Sequence, residues 1–268
     1  VYEGSMEKGM PHGTGRLNNQ DGSMYEGEYV YGVMHGKGRY VYVNGDVYEG
    51  DYVEDCMEGQ GVYVYANGDT YTGRFVQDRL DGQGVYVYGN GDKYEGEYVK
   101  GMKEGEGVFT YTNGSVYTGA YFQDTANGMG TMVYHNGEVY KGEYVGGVRE
   151  GKGTYTYKSV AMYEGMWKNG MQHGIGKFTY AKKSMYEGYF SKGAKDGEGK
   201  MTYHTGETNE GTYKNNVMDG HGTYTYRSGA VYIGEFRGGK MEGKGKFTFQ
   251  NGSVYEGDFD NDDRHGQG

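Results

Sequence analysis

Tyr48-Glu49-Gly50-Asp51-Tyr52-Val53-Glu54-Asp55-Cys56-Met57-Glu58-Gly59-Gln60-Gly61-Val62-Tyr63-Val64-Tyr65-Ala66-Asn67-Gly68-Asp69-Thr70 spans one period of this chain. The next residue, Tyr71, starts the pattern again. A tyrosine with a glycine two residues on recurs at Tyr2, Tyr25, Tyr48, Tyr71, Tyr94, Tyr117, Tyr140, Tyr163, Tyr186, Tyr232 and Tyr255. Asn209, followed by Gly211, holds the remaining place. Every step is 23 residues, without insertion or deletion. A fixed period of this length marks a repeat architecture.

Counted from the tyrosine, columns three, twelve and fourteen are always glycine. Column twenty-one is glycine except at Val160 and Lys183, and column eight is Gly, Asp or Asn. This register holds 52 of the 55 glycines in 268 residues. Composition alone, with a net charge of −10, would point to disorder. The register points to order instead. Gly, Asp and Asn tolerate a left-handed backbone, so column eight is a turn. Columns twenty and twenty-one often read Asn-Gly, as at Asn44-Gly45, a strong hairpin signal. Two turns per period leave two short strands, so each unit is a β-hairpin and the chain an antiparallel meander.

Alternation then sorts the faces. Columns one, three and five share a face and read Tyr, Gly, aromatic. On the second strand, columns twelve, fourteen, sixteen and eighteen are expected to share it, with two glycines followed by aromatics such as Tyr40 and Tyr42. A ring from a neighbouring strand is expected to cover each glycine hollow. Aromatics each bury roughly 150–250 Å², which is how a chain with only four Leu and Ile residues builds a core.

The pattern Tyr-Glu-Gly-Glu-Tyr, then Gly-x-Gly-x-Tyr-x-Tyr and Asn-Gly, resembles the MORN repeat (membrane occupation and recognition nexus). The resemblance covers residues 1–268: eleven full repeats from Tyr2 and a partial twelfth from Tyr255. It implies one all-β domain, an elongated array of antiparallel hairpins forming a twisted single-sheet rod. In this family repeats either accompany a catalytic domain or act as scaffolds. No residue here lies outside the repeats, so the resemblance implies the scaffold role and no enzyme. Val1 already sits in the register of a preceding unit, and the natural protein is expected to extend beyond one or both ends.

Several chemistries are excluded or disfavoured. The longest glycine-free runs are 11 residues, Thr154 to Glu164 and Lys177 to Glu187, and a spanning helix needs roughly 18 or more apolar residues. A single cysteine, Cys56, rules out a disulfide framework or Cys-based zinc site. The acidic balance disfavours nucleic acid. Gly146 to Lys152 and Gly238 to Lys244 approach a phosphate-loop motif, but each lacks the final Ser or Thr and lies at a turn. His12, His35, His173 and His265 share column eleven; neighbouring units lie too far apart for a closed ligand set. The column-two glutamates (Glu3, Glu26, Glu49, Glu95, Glu164, Glu187, Glu210, Glu256) read as a solvated strand face. No cofactor and no metal is expected.

The varying columns carry the functional expectations. Column five (Tyr29, Tyr52, Phe75, Tyr98, Tyr121, Tyr144, Trp167, Phe190), with methionines gathered at the hairpin tips, is expected to wall a groove for a helix or peptide. On the other face, Val62, Val64, Val85, Val87, Val108, Phe122 and Val133 form an expected packing surface for a partner or a second copy. Residues 1–139 hold 9 basic and 21 acidic residues, whereas 140–208 hold 11 and 7. That basic middle (Lys182, Lys183, Lys192, Lys195, Lys200) carries the alternative reading, a peripheral module binding acidic phospholipids. The leading expectation is a cytoplasmic, cytoskeleton-associated scaffold, self-associating and bound to protein partners at a basal ring, axoneme or membrane-adjacent structure.

Overall fold

The computed structural model describes residues 1–266. Among the described residues the chain is all-β, with twenty-four antiparallel strands and no helix. It forms two compact units. The first, Val1–His135, carries β1 (Tyr2–Glu7) to β12 (Thr125–Val133); the second, from Asn136 on, carries β13 (Val139–Val145) to β24 (Asp263–His265). Within each unit, consecutive strands pair in chain order.

One hairpin shows how the period becomes geometry. β5 (Val47–Val53) pairs with β6 (Cys56–Val64) through Tyr48↔Tyr63, Gly50↔Gly61, Tyr52↔Met57 and Val53↔Cys56. The first strand advances two residues from Gly50 to Tyr52 while the second advances four, so the ladder bulges. Gly59 sits in that bulge at φ +71°, and every described column-twelve glycine has a positive φ. The bulge corrects the expected alternation. A Cβ added at Gly59 would point at Asp51, on the face away from the tyrosines. Column ten, here Met57, takes the place expected for column twelve.

The turns also differ from the simple reading. Columns seven and eight both have positive φ in every unit, as at Glu54 (+48°) and Asp55 (+67°). This is the primed two-residue turn that matches strand twist. The Asn-Gly pair instead closes a longer loop. Only Gly45 of that pair has positive φ (+91°); its N–H donates to Tyr42 O at 3.0 Å, and Asn44 Oδ1 accepts from Asp46 N at 3.0 Å.

The core is a layer of tyrosine on glycine. Tyr48 is fully buried, and its hydroxyl donates to Asp51 O at 3.0 Å. Its ring lies over Gly50 on its own strand and Gly61 on the partner; a Cβ at Gly61 would come within 2.4 Å of it. The covering ring thus comes from the same strand for Gly50 and, as expected, from the neighbouring strand for Gly61. Tyr52 meets Tyr48 edge-on at 5.2 Å and Tyr25 of the preceding unit at 5.2 Å. These contacts repeat within each unit and replace the aliphatic core the composition lacks.

Candidate interaction surfaces

The column-five rings are nearly inaccessible: Tyr29, Tyr52, Phe75, Tyr98, Trp167 and Phe190 are at most 4% exposed, Tyr144 is 5% and Tyr121 is 8%. They are floor rather than wall. The rings that meet solvent stand above them on the second strands, Tyr40 and Tyr42, then Tyr63 and Tyr65, then Tyr86 and Tyr88, all half-buried. They form a zigzag ladder, with centroids 4.5 Å apart from Tyr40 to Tyr42 and 5.8 Å on to Tyr63. Burial pushes the Tyr42 hydroxyl up to about 12, helped by the nearby Asp78 and Asp46 charges.

Column ten reaches up between these rings. Met57, Met218 and Met241 are buried there, whereas Met10, Met102 and Met171 in column nine are exposed on the opposite face. The methionines therefore do not line one groove. In other repeats a cation fills the column-ten place: Lys103, Arg149, Lys195 and Arg264 all stand over aromatic rings. Burial lowers the Lys195 ammonium below its usual range. The sequence signal was present as a column of long side chains on the tyrosine face, but the bulge that sets it opposite column five was not legible.

The adjacent hairpins are also pinned at their tips. Asp55 Oδ1 accepts from Met34 N at 2.7 Å, and Asp78 Oδ1 from Met57 N at 2.7 Å. Column eight therefore has a second use beyond backbone freedom, wherever it is Asp or Asn. At the other edge Asp69 accepts from the Tyr86 hydroxyl at 2.7 Å and from Gly89 N at 2.7 Å. These bonds, the Tyr86 one first, hold its carboxyl below the usual range.

The face opposite the tyrosines carries two parallel rows in the first unit. One runs Val41, Val47, Val64, Thr70, Val87 across successive strands. The other runs Val62, Thr72, Val85, Glu95, Val108. Val62 and Val64 are each 39% exposed, Val133 is 42% and Phe122 is 53%; Val85, Val87 and Val108 are half-buried. Two concavities of the first unit, about 740 and 470 Å³, open on this face and are lined by charged residues such as Arg39, Glu49 and Glu95 as well as by Val62, Val85 and Val108. In the second unit the matching row is Glu164, Lys177, Glu187, Lys200, Glu210. Its charges pair at 3.3 Å (Lys177 to Glu187) and 2.9 Å (Lys200 to Glu210).

The MORN repeat family model matches residues 2–24, 25–47, 48–70, 71–93, 94–116, 117–139, 140–159, 163–185, 186–208, 210–231, 232–254 and 255–268. The chain belongs to the MORN-repeat family. No curated protein matches it. Among solved structures it is similar to the wild-type TCP10 domain of Danio rerio CPAP, at 15% identity and TM-score 0.43, over 74% of this chain and 93% of that one. It is also similar to the Drosophila melanogaster SAS-4 (dCPAP) TCP domain in complex with a proline-rich motif of Ana2, at 12% identity and TM-score 0.38, over 66% and 90%. At these scores neither likeness bears on function.

Two gaps between MORN matches fall on structural departures. The match ending at 159 precedes Val160, a β-branched residue at φ +59°. The match starting at 210 skips Asn209, which lacks the covering ring. There Met218 takes over, and a Cβ at Gly222 would meet its Cε at 2.2 Å.

The lysines of the phospholipid alternative are not brought together. Lys182 and Lys183 lie in the turn between β16 (Met171–Thr179) and β17 (Met185–Ser191). Lys192 lies in the turn at the far end of β17, about 20 Å away at strand rise. Lys195 stands over Tyr180, Tyr186 and Tyr213, and Lys200 is paired on the other face. His12 lies 3.3 Å from Glu7 and 4.8 Å from the Tyr31 ring. Among the described residues no three His, Cys, Asp or Glu side chains converge for a metal. Gly146 and Gly238 occupy hairpin turns, not a strand-to-helix loop.

Proposed function

We propose that this MORN array is a non-catalytic interaction scaffold that self-associates through the valine face of its first unit and organises cytoskeletal or membrane-adjacent proteins in the cytoplasm. One observation supports it above the others. The first unit covers its column-one tyrosines within itself and leaves an unbroken Val and Thr row, Val41 to Val87, on the reverse face, with Val62, Val85 and Val108 in the row beside it. Scattered exposed valines are ordinary, but contiguous rows mark interaction sites. In the column that holds Val62, Val85 and Val108 the second unit carries Lys177, Lys200 and Lys246, so strand propensity alone does not account for the valines. A second copy supplies an identical set of rows at identical spacing, which suits an isologous contact.

The test is the double variant Val64→Glu with Val87→Glu, compared with wild type by light scattering on a sizing column. The wild type should elute as a dimer or larger, the variant as a monomer with an unchanged β-sheet circular dichroism spectrum. A wild type that stays monomeric at high concentration, or a variant that associates as well as wild type, overturns self-association through this face.

A further inference from the structure

Column ten gives this chain its own calibrated set of cation cages. In each hairpin it pairs with column five: Tyr98↔Lys103, Tyr144↔Arg149, Phe190↔Lys195 and Tyr121↔Ala126. The Lys103 ammonium stands 5.4, 5.2 and 5.3 Å from the Tyr88, Tyr94 and Phe109 centroids. The Arg149 guanidinium lies 4.5 Å from Trp167 and 5.5 Å from Tyr140. The Lys195 ammonium lies 5.1 Å from Tyr186 and 5.7 Å from Tyr180. All lie within the distance at which a ring face attracts a cation.

At Ala126 the same place receives only a methyl group. One period on from the walls around Lys103 stand Tyr111, Tyr117 and Met132. Those walls are set as in the filled cages: Tyr111 lies 4.6 Å from Phe109, and Tyr117 meets Tyr121 edge-on at 5.4 Å. Tyr121, opposite Ala126, is 8% exposed, against 3% for Tyr98 opposite Lys103. Methionine sulfur adds a polarisable third wall. Residues 1–135 hold nine basic and twenty acidic residues, a field that draws cations.

We infer that the site over Ala126, walled by Tyr111, Tyr117 and Met132, binds a lysine or arginine side chain presented by a partner protein. The occupant matches what the neighbouring cages hold: an ammonium or guanidinium on a flexible stem. That a protein carries the cation rests on the scaffold reading above; the preference of the site for a cation does not. A single side chain gains little alone, so the cage works as one anchor within a larger interface.

The experiment labels the methionine methyls and follows Met132 by NMR, assigned through Met132→Leu. Capped lysine, capped arginine and the uncharged isostere capped norleucine are titrated into the full chain. Met132 should move saturably with the two cations and not with norleucine. Ala126→Lys supplies the cation internally, in the manner of Lys103, and should abolish the response while raising Tm. Tyr111→Ala should weaken it several-fold. An equal response to norleucine, an unchanged response in Ala126→Lys, or no saturable response to either capped residue overturns the inference. A response to tetramethylammonium alone overturns it too, by reassigning the cage to quaternary ammonium. None of these readouts depends on self-association, so the cage and the valine face fail separately.

Discussion

The Tyr98 hydroxyl is buried and, among the described residues, has no hydrogen-bond partner; Tyr29 and Tyr52 share this state. Burial and the neighbouring tyrosines push all three hydroxyls up. Four other repeats place phenylalanine in the same column, at Phe75, Phe190, Phe236 and Phe259. Nothing in the packing explains the choice of tyrosine here. The column-one hydroxyls differ, since Tyr48 donates to Asp51 O at 3.0 Å. A buried polar group left unpaired costs about 1–3 kcal/mol, whereas a made hydrogen bond contributes about 1 kcal/mol. Tyr98→Phe should therefore leave stability unchanged or raise it by up to about 1 kcal/mol, and Tyr48→Phe should lower it by about 1 kcal/mol. Urea unfolding of the two variants checks this; equal losses would mean that column five is satisfied in solution.

At the scale of the element, the hairpin is governed by backbone handedness. Every column-twenty-one residue from Gly22 to Gly252 has positive φ, including Val160 (+59°) and Lys183 (+64°). An L-residue in this region costs roughly 1–2 kcal/mol, more when β-branched. Val160 is 75% exposed, so its side chain recovers little by packing. Val160→Gly should stabilise the second unit by about 1 kcal/mol. The reciprocal change Gly114→Val, at φ +86° with open space around the glycine, should destabilise the first unit by at least as much. Thermal melts of both variants decide the matter, and a Val160→Gly variant less stable than wild type counts against backbone strain. This column was legible in the sequence because glycine advertises it. Column seven was not, although its φ is positive in every unit, because Lys8, Tyr31 and Glu54 carry no such signature. The column-twelve bulge was hidden for a related reason: alternation assumes an unbroken ladder, and the two extra residues break it. The expected groove failed separately: the column-five rings are buried, and the tip methionines divide between columns nine and ten, which alternation puts on opposite faces. The valine rows, by contrast, lie on the far side of the sheet from the tyrosines, where uninterrupted alternation on the strands put them.

For the molecule as a whole, the 33 tyrosines tie stability to alkaline pH. Burial first, with nearby charges second, raises the Tyr29 and Tyr71 hydroxyls to about 12. Burial likewise leads the shift at Tyr163, Tyr186 and Tyr232, again to about 12. In the unfolded chain these groups titrate near about 10. A folded pKa above the unfolded one contributes stability that is complete below the unfolded value and lost as pH rises through the folded value. The loss window therefore opens near about pH 10. Many groups with the same sign act together, so the decline should be steep rather than gradual. Tm should hold steady up to that pH and then fall sharply, with phenolate absorbance rising in one step that coincides with loss of the β-sheet circular dichroism signal. The carboxylates oppose this at the other end of the scale. Asp69 and Asp92 are held low by hydrogen bonds, first from Tyr86 and Thr112 respectively. Their contribution is present above the unfolded carboxylate pKa and lost as pH falls below about 4. A shallow acid limb and a steep alkaline limb are thus expected from one titration of Tm against pH. Phenolate forming gradually while the sheet signal persists would show that the tyrosine layer admits water, and the tyrosine-on-glycine core would then be looser than its geometry implies.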